Sequence, residues 1–491
     1  MRISLLYIYE LNACNQVKTE EVAGSDDRCR IAVRIHDPAI KRRRFPDFLN
    51  YPTDSSLFLQ MATSENKPYS VFRQIPERPE IVTFGGSYQE VLPDQLKSLN
   101  VSRVFLVVSK SLAESSSEVE ALQSLPGLKE KLVGTKIGVR PHGYVFSCIQ
   151  PNRSDIDDVV EIINRVRDLS VDCLVTVGAG SISDACKNVK FGLSNNVHTK
   201  ADFLPLKAKI DFDSGSINLP DIPLHPPTLK LICIPTSLSA GEYNCKSGGL
   251  DRETGKKFPF FQPDCMPDVI LCDPYLARKT PEWVWLSTGV RSLDHAMETL
   301  CNPNFNLKDP VLADAYRSSK ESVDLLMRGL ILSKEDPENV EARDMCQRGS
   351  WKASLAVVRE VPMGGSHAIG HILGPVGNVP HGVTSCVMCP AVLRYNYRVN
   401  SKQQDEIKEM LIRNGIVKEL GLQDKPDLQL WQILATFIRY IGMPQSLKEV
   451  GIEQKDYKKI SEETLGDFWS RTNPIPLERS DQVMEILEMA A

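Results

Sequence analysis

The stretch Cys173-Leu-Val-Thr-Val-Gly-Ala-Gly-Ser-Ile-Ser-Asp-Ala-Cys-Lys187 sets the reading of the fold. Its first part, Cys173 to Val177, carries no charge and is apolar but for Thr176, as expected of a strand buried on both faces. It passes straight into a Gly-rich turn, Gly178-Ala179-Gly180-Ser181, and then into a helix start that carries Asp184 and Lys187. In that arrangement free backbone N–H groups and the helix dipole face an anion, most often a phosphate. Gly178 and Gly180 let the backbone come close, Ser181 offers a hydroxyl, and Lys187 follows one and a half turns into the helix. Glycine at a strand-to-helix turn is often only a turn, so this stretch alone leaves pyrophosphate binding and plain turn geometry equally open.

Working outward, Val104–Val108 (VFLVV) is a second buried strand, and it ends in the polar turn Ser109-Lys110. Lys136 to Arg140 reads as another strand, and residues 143–153 as an inserted loop without a period of its own. Ser154, with Asp157, then opens an amphipathic helix on which Ile156, Val159, Val160, Ile163, Val166 and Leu169 recur at helical spacing. Downstream, the strand Leu229–Ile234 ends in Pro235-Thr236-Ser237-Leu238-Ser239-Ala240-Gly241-Glu242, a second polar loop at a strand's carboxyl end. Ligands of doubly wound sheets bind along that edge, so two such loops predict one shared cofactor crevice. Residues 251–258, DRETGKKF, read as a hairpin turn whose lysines either reach a phosphate or are solvated.

From Thr280 the period changes to helical, with segments Trp283–Leu300, Val311–Leu332, Asn339–Val358, Gln403–Leu420, Leu428–Ile441 and Tyr457–Leu465. The change places a boundary near 265–280 and predicts an α/β domain over 69–270 followed by an all-helical domain over 271–491. Residues 1–68 mix basic runs, Pro and Ser without sustained periodicity and read as a poorly ordered extension. Inside the helical half lies Val361–Asn396, VPMGGSHAIGHILGPVGNVPHGVTSCVMCPAVLRYN. His367 and His371 stand at i, i+4, on one face of a helix, and His381 follows a Gly/Pro loop. His295 sits in a further motif, Gly289-Val-Arg291-Ser-Leu-Asp294-His295-Ala-Met-Glu298. Imidazole is both a common metal ligand and a proton carrier near neutral pH, so histidines converging from two elements point to a site.

Composition excludes other classes. With 42% hydrophobic and 25% charged residues over 491 positions, the chain is ordinary globular material, too long for one core. A net charge of -5 leaves no electrostatic footprint for nucleic acid, and the basic run Lys41 to Arg44 reads as solvated. No apolar run approaches the ~20 residues that span a bilayer, and the first residues are too short and too mixed for a secretory signal. The 13 cysteines are scattered, and Cys386-Val-Met-Cys389 reads as buried small hydrophobes, which together point to a reducing, cytoplasmic setting.

Four pieces resemble one family in the same order: GAGSISDACK at 178–187, IPTSLSAGE at 234–242, GVRSLDHAMET at 289–299 and HAIGHILGPVGNVPHG at 367–382. They are similar to the motifs of the iron-containing (group III) alcohol dehydrogenases and their maleylacetate reductase relatives, and span roughly residues 75–491. The resemblance implies the dehydroquinate synthase-like fold: a dinucleotide-binding α/β domain, a helical domain, and a cleft between them where nicotinamide meets substrate. By that resemblance Gly178, Ala179, Gly180, Ser181 and Asp184 would hold the pyrophosphate. Thr236, Ser237 and Ser239 would line the nicotinamide half, with Lys257 a weaker match. Where a metal is bound, its histidines would be His295, His367 and His381, and His371 would lie near the reacting carbon.

Two departures from the family pattern decide the branch. Where metal-dependent members carry the ligand aspartate, four residues before His295, this chain has Arg291, which cannot ligate and cannot lose its proton. Asp294 next to His295 points about 100° away on a helix and reads as a poor substitute. The expectation is therefore a metal-independent, maleylacetate reductase-like reductase. Arg291 would take a substrate carboxylate through bidentate hydrogen bonds, and His371 and His295 would complete the catalytic set. Iron or zinc in a metal-dependent alcohol dehydrogenase is the alternative, and a dehydroquinate synthase-type lyase a third. At the end of the first nucleotide-domain strand, Ser109 stands where NAD-specific members have an acidic residue, so NADPH is expected to serve at least as well as NADH. The partners expected are a small-molecule substrate and a second copy of the chain, with no nucleic acid and no membrane.

Overall fold

The computed structural model describes residues 68–138, 155–211, 216–251, 253–254 and 256–491. The first 67 residues, the 143–153 loop and the capping residue Ser154 lie outside them. Seven strands form the main sheet: β1 (Ser70–Arg73), β2 (Ile81–Phe84), β3 (Val104–Val108), β4 (Leu132–Ile137), β5 (Cys173–Gly178), β8 (Lys230–Pro235) and β11 (Val269–Leu271). Two small hairpins complete the strands, β6 (Lys209–Asp211) with β7 (Ser216–Asn218) and β9 (Lys246–Asp251) with β10 (Lys256–Phe261). The order in the main sheet is β1-β2-β11-β8-β5-β3-β4, parallel throughout except for β1.

Every residue of β3 and β5 is buried, which is why both read as unbroken apolar runs. The period-2 alternation then distributes them between two cores. Phe105 and Val107 join one core with the helices Asp155–Asp168 and Gly180–Ser194. Val104, Leu106 and Val108 join the opposite core with the helices Tyr88–Ser98 and Glu118–Ser124. The chain steps from β3 outward to β4 and returns across β3 to β5, so the strand order reverses between β3 and β5. In doubly wound sheets such a switch point is where a ligand crevice lies, at the carboxyl ends of the strands.

Differences from the sequence reading have physical reasons. β4 spans 132–137 rather than starting at Lys136, because an edge strand with half-buried side chains leaves no apolar run to mark it. The strands β1, β2 and β11, of three or four residues, are too short to show a period. The helix expected from Gln403 begins at His381 and runs to Arg413, broken only by Asn400, whose amide donates to the Cys301 carbonyl at 2.8 Å. It stops there because Gly415 takes the left-handed region, at φ 82°.

After β11 the chain is entirely helical, so the change of period near 265–280 corresponds to the last strand of the sheet. The helix Glu282–Leu300 is central, packing against Pro310–Glu335, Val340–Val358 and His381–Arg413. Gly289 permits this approach: a Cβ there would stand 2.5 Å from Leu330 Cδ2. Among the described residues no helix is long and apolar enough to cross a membrane.

Candidate active site

Three loops meet at the carboxyl ends of β3, β5 and β8, and hydrogen bonds join them into one structure. Ser109 N–H donates to Val177 O at 2.9 Å, and Thr236 N–H to Gly178 O at 3.0 Å. Gly180 N–H donates to Ser239 Oγ at 3.2 Å, and Ser237 Oγ to Ser239 Oγ at 3.2 Å. A Cβ on Gly180 would lie 2.4 Å from Ser239 Oγ, so the Gly-rich turn and the Pro-Thr loop touch only because residue 180 has no side chain. Ala179 precedes the 180–194 helix without a side-chain cap, which leaves first-turn N–H groups, Ser181 among them, for a ligand. Ser109 lies at the switch point and caps the short Lys110–Ser115 helix through Leu112 N–H.

Lys187 does not take the phosphate-reaching role its position suggested. It is buried, and its ammonium donates to the carbonyls of Gly241 at 2.8 Å and Asn244 at 3.2 Å, and also to that of Lys246. It also pairs with Asp184 at 2.8 Å, so that carboxylate faces a lysine of its own helix. Together they brace the 241–246 segment beneath the crevice. Glu242 lies beside them, with an Oε2 that has no hydrogen-bond partner; burial pushes it up to about 7 against the pull of Lys187. Lys257 falls in β10, and its side chain lies outside the described residues.

The same Pro-Thr loop docks on the helical half. Leu238 N–H donates to Thr288 Oγ1 at 3.1 Å, and Leu238 O accepts from Ser292 Oγ at 2.6 Å and Ser350 Oγ at 3.2 Å. This fixes the helix that carries Arg291 and His295 relative to the crevice.

The four histidines form two stacks. His295 and His367 lie with ring centroids 4.7 Å apart, and His371 and His381 with centroids 5.7 Å apart and planes 7° from parallel. Trp469 links them, edge-on to His367 at 5.5 Å and stacked on His371 at 5.2 Å. The two histidines of the Gly365–Gly377 helix each meet a carboxylate: His367 Nδ1 lies 2.7 Å from Glu298 Oε2, and His371 Nδ1 lies 2.8 Å from Asp467 Oδ2. Glu298 also accepts from the N–H groups of Gly364 and Ser366, both at 2.8 Å, and so caps that helix with its negative charge. Burial raises Glu298 to about 7 and holds His295 and His367 well below the ordinary histidine range, hence neutral.

Arg291 is buried, with Nη1 donating to Ser385 Oγ at 3.1 Å. Ser385 in turn donates to Asp294 Oδ2 at 2.7 Å, which also accepts from Ser366 Oγ at 2.6 Å. The positive charge is compensated: Asp294, Glu298 and Asp467 all favour the charged guanidinium against the burial that lowers its pKa. Asp294 also differs from the reading that dismissed it. It stands four residues before Glu298 on one helix face, and the two meet His367 from the neighbouring helix.

The proposed ligand set His295, His367 and His381 is not drawn together. Among the described residues, the donor atoms that converge within 4.8 Å of one another belong to Asp294, Glu298 and His367. His381 is exposed at the start of its helix, beside His371 instead. Within the converging set, Asp294 Oδ1 and His367 Nε2 are buried atoms without a hydrogen-bond partner among the described residues, as is the neighbouring His295 Nδ1, and these are the donors a divalent ion could use. His367 Nδ1 and both Glu298 oxygens are engaged in hydrogen bonds, and a guanidinium stands beside them.

Residues 79–274 match the iron-containing alcohol dehydrogenase family and residues 285–491 its C-terminal domain. The chain belongs to the iron-containing alcohol dehydrogenase family. An NAD(P)-dependent dehydrogenase activity goes with that membership. The chain is 30% identical to the dehydrogenase ALT3 of Alternaria alternata, covering 79% of this chain and 98% of that one. It is 26% identical to a 1,3-propanediol dehydrogenase of Citrobacter freundii, covering 81% and 93%. In fold it is similar to a maleylacetate reductase from Agrobacterium tumefaciens, with a TM-score of 0.62 at 18% identity, covering 83% and 95%. It is likewise similar to a sulfoacetaldehyde reductase from Bifidobacterium kashiwanohense solved with NAD+, with a TM-score of 0.66 at 20% identity, covering 84% and 97%.

Sequence reading gave no role to Glu298, Ser366, Ser385, Asp467 or Trp469. Glu298 carried a signal, since it lies three residues after His295 in a quoted motif. Asp467 carried none, being 96 residues from its partner histidine.

Proposed function

We propose that the chain is an NAD(P)H-dependent reductase that exchanges a hydride between nicotinamide C4 and a carbonyl, its alcohol or an activated alkene. Its substrate carries a carboxylate, and the reaction needs no metal ion. The observation that carries the hydride reading is the joining of the Gly178–Ser181 turn, the Thr236–Ser239 loop and Ser109 by Gly180 N–H to Ser239 Oγ and its neighbours. The bound nicotinamide supplies the hydride, and the protein orients it and excludes competing chemistry. Glycines 178 and 180 with Ala179 and Ser181 face the pyrophosphate, and Thr236, Ser237 and Ser239 face the nicotinamide half. His295, His367 and His371 line the reacting end.

The carboxylate reading rests on Arg291. Guanidinium offers five N–H donors, and among the described residues this one makes a single hydrogen bond, to Ser385. The remaining donors suit a bidentate carboxylate or a developing oxyanion. In a panel of keto acids and uncharged aldehydes, with NADH and NADPH, the keto acids should be reduced with the higher kcat/KM. Arg291→Ala should cost the keto acids roughly 100-fold, about 2.7 kcal/mol, and the aldehydes much less. An equal loss for both classes would remove the carboxylate from the reading.

The second reading, a metal-dependent alcohol dehydrogenase, is favoured by the convergence of Asp294, Glu298 and His367. The protein is expected to stay active after exhaustive chelation and to contain well under one equivalent of metal. Arg291→Asp should bring measurable iron or zinc binding. Stoichiometric metal in the unaltered protein, lost together with activity, decides for the second reading. Small molecules are then the working partners, a homodimer being the assembly proposed. A cytoplasmic setting is supported by the ten cysteines of the described residues, all of them free thiols.

A further inference from the structure

Asp467 lies in the turn after the helix Gln454–Thr464, far in sequence from every motif of the site. We infer that Asp467 is a positioning residue that fixes the tautomer and orientation of His371, so that His371 Nε2 exchanges the proton with the substrate oxygen. This rests on the hydride-transfer reading above. His371 Nδ1 lies 2.8 Å from Asp467 Oδ2, and the other oxygen, Oδ1, accepts from Trp469 N–H at 2.9 Å. The backbone thus holds one oxygen and leaves the other to the imidazole. An ionised carboxylate accepts only, so Nδ1 must carry its proton and Nε2 is the nitrogen left to change protonation.

The ring is held as well as its tautomer. It lies near-parallel to the His381 ring, 7° apart, and stacks on the Trp469 indole at 26°. Nε2 makes no hydrogen bond among the described residues, and the side chain keeps 24% of its exposure, which leaves that nitrogen reachable from the cleft. In the reducing direction the carbonyl carbon gains the hydride and the nicotinamide is oxidised. The oxygen takes the proton from Nε2, and neutral His371 keeps Nδ1–H on Asp467 until solvent returns the Nε2 proton. Alcohol oxidation runs the same transfers backward. A carboxylate that orients a histidine in this way stabilises the imidazolium without itself taking the proton.

Asparagine provides the test, because Trp469 N–H still requires an oxygen at the Oδ1 position. The carbonyl of Asp467→Asn must therefore face the backbone and its amide N–H must face His371 Nδ1, which forces the neutral ring into the Nε2–H form. For Asp467→Asn the expected result is a fall in kcat on the order of 100-fold in both directions. KM, nucleotide affinity and melting temperature should stay close to those of the unaltered protein, and Asp467→Glu should recover part of the loss. Imidazole 15N shifts of His371 should report Nδ1–H in the unaltered protein and Nε2–H in the asparagine variant. A variant kcat within threefold of normal, or unchanged 15N shifts, overturns the assignment; so does a loss that appears equally in KM and melting temperature. If the unaltered protein turns over neither nucleotide with any carbonyl substrate, the hydride-transfer reading fails, while the nitrogen shifts still decide the role of Asp467.

Discussion

The nucleotide crevice and the histidine site are built from different materials, although one loop joins them. The crevice is made of backbone and two short side chains: Gly180 N–H, the carbonyls of Gly178 and Val177, and the hydroxyls of Ser237 and Ser239. Its residues come from turns that directly follow strands, so each side chain's place follows from the strand before it. The histidine site is made of side chains from four separate segments: Arg291, Asp294, His295 and Glu298; Ser366, His367 and His371; His381 and Ser385; and Asp467 with Trp469. Its charges are buried and mutually compensating, and moving one changes what the others can do. The crevice should therefore fail by steric exclusion, and the histidine site by loss of a partner.

The largest expected effect is in the crevice. Gly180→Val places carbon where Ser239 Oγ sits, 2.4 Å from the added Cβ, and where the pyrophosphate backbone contact would form. Nucleotide affinity should fall by roughly 100-fold or more, about 2.7 kcal/mol, in a calorimetric titration. Adding Ser239→Gly should restore the packing without restoring the affinity. A single Gly180→Val variant that binds NADPH normally would show that the turn is only a turn.

A smaller effect is expected at Ser109, where the crevice depends on one side chain. NADPH and NADH should be used with efficiencies within about tenfold of each other, a difference under about 1.4 kcal/mol. Aspartate caps a helix as well as serine does, so Ser109→Asp keeps the Lys110–Ser115 helix and adds a charge facing the 2′-position. It should move the preference towards NADH by at least about tenfold. Strict NADH use by the unaltered protein contradicts the premise.

An effect on stability, not on binding, concerns Glu242, the buried carboxylate on the crevice side. Its pKa in the fold, about 7, lies above the ordinary value of 4.5, so the folded state binds the extra proton. Its contribution to stability is present below about pH 4.5 and is lost as pH rises through about 7. Glu242→Gln, which keeps the shape and cannot ionise, should therefore melt at a temperature closer to the unaltered protein at pH 5 than at pH 8. At pH 8 the variant should gain on the order of 2 kcal/mol. A melting difference that does not change with pH would mean that Glu242 is ionised throughout, held by Lys187.

How much of this was legible depends on sequence distance. The buried strands Val104–Val108 and Cys173–Gly178 were plain, because burial on both faces leaves an unbroken apolar run. The edge strand β4 and the short strands β1, β2 and β11 were displaced or missed, since half-buried or three-residue segments carry no period. The helix through Asn400 was cut too late at its start, because its first turns form the buried wall beneath the histidines and lack an amphipathic stripe. Arg291 was singled out in the sequence as a departure from the family pattern. Its surroundings were not: Asp294 and Glu298 stand on its own helix in the quoted motif but were not paired with it, and Asp467 is remote in the chain.

The sequence by itself determined the α/β-then-helical order, the two loops at strand ends, the four histidines and the arginine among them. These follow from local periodicity, turn chemistry and residue type, all of which act within a few residues. Only the tertiary structure decided that Lys187 braces a loop, that Asp294 and Glu298 face His367, and that Asp467 meets His371. Those outcomes depend on which buried charges and N–H groups remain without partners after the helices pack. Desolvation makes such pairing obligatory, and no spacing along the chain encodes it.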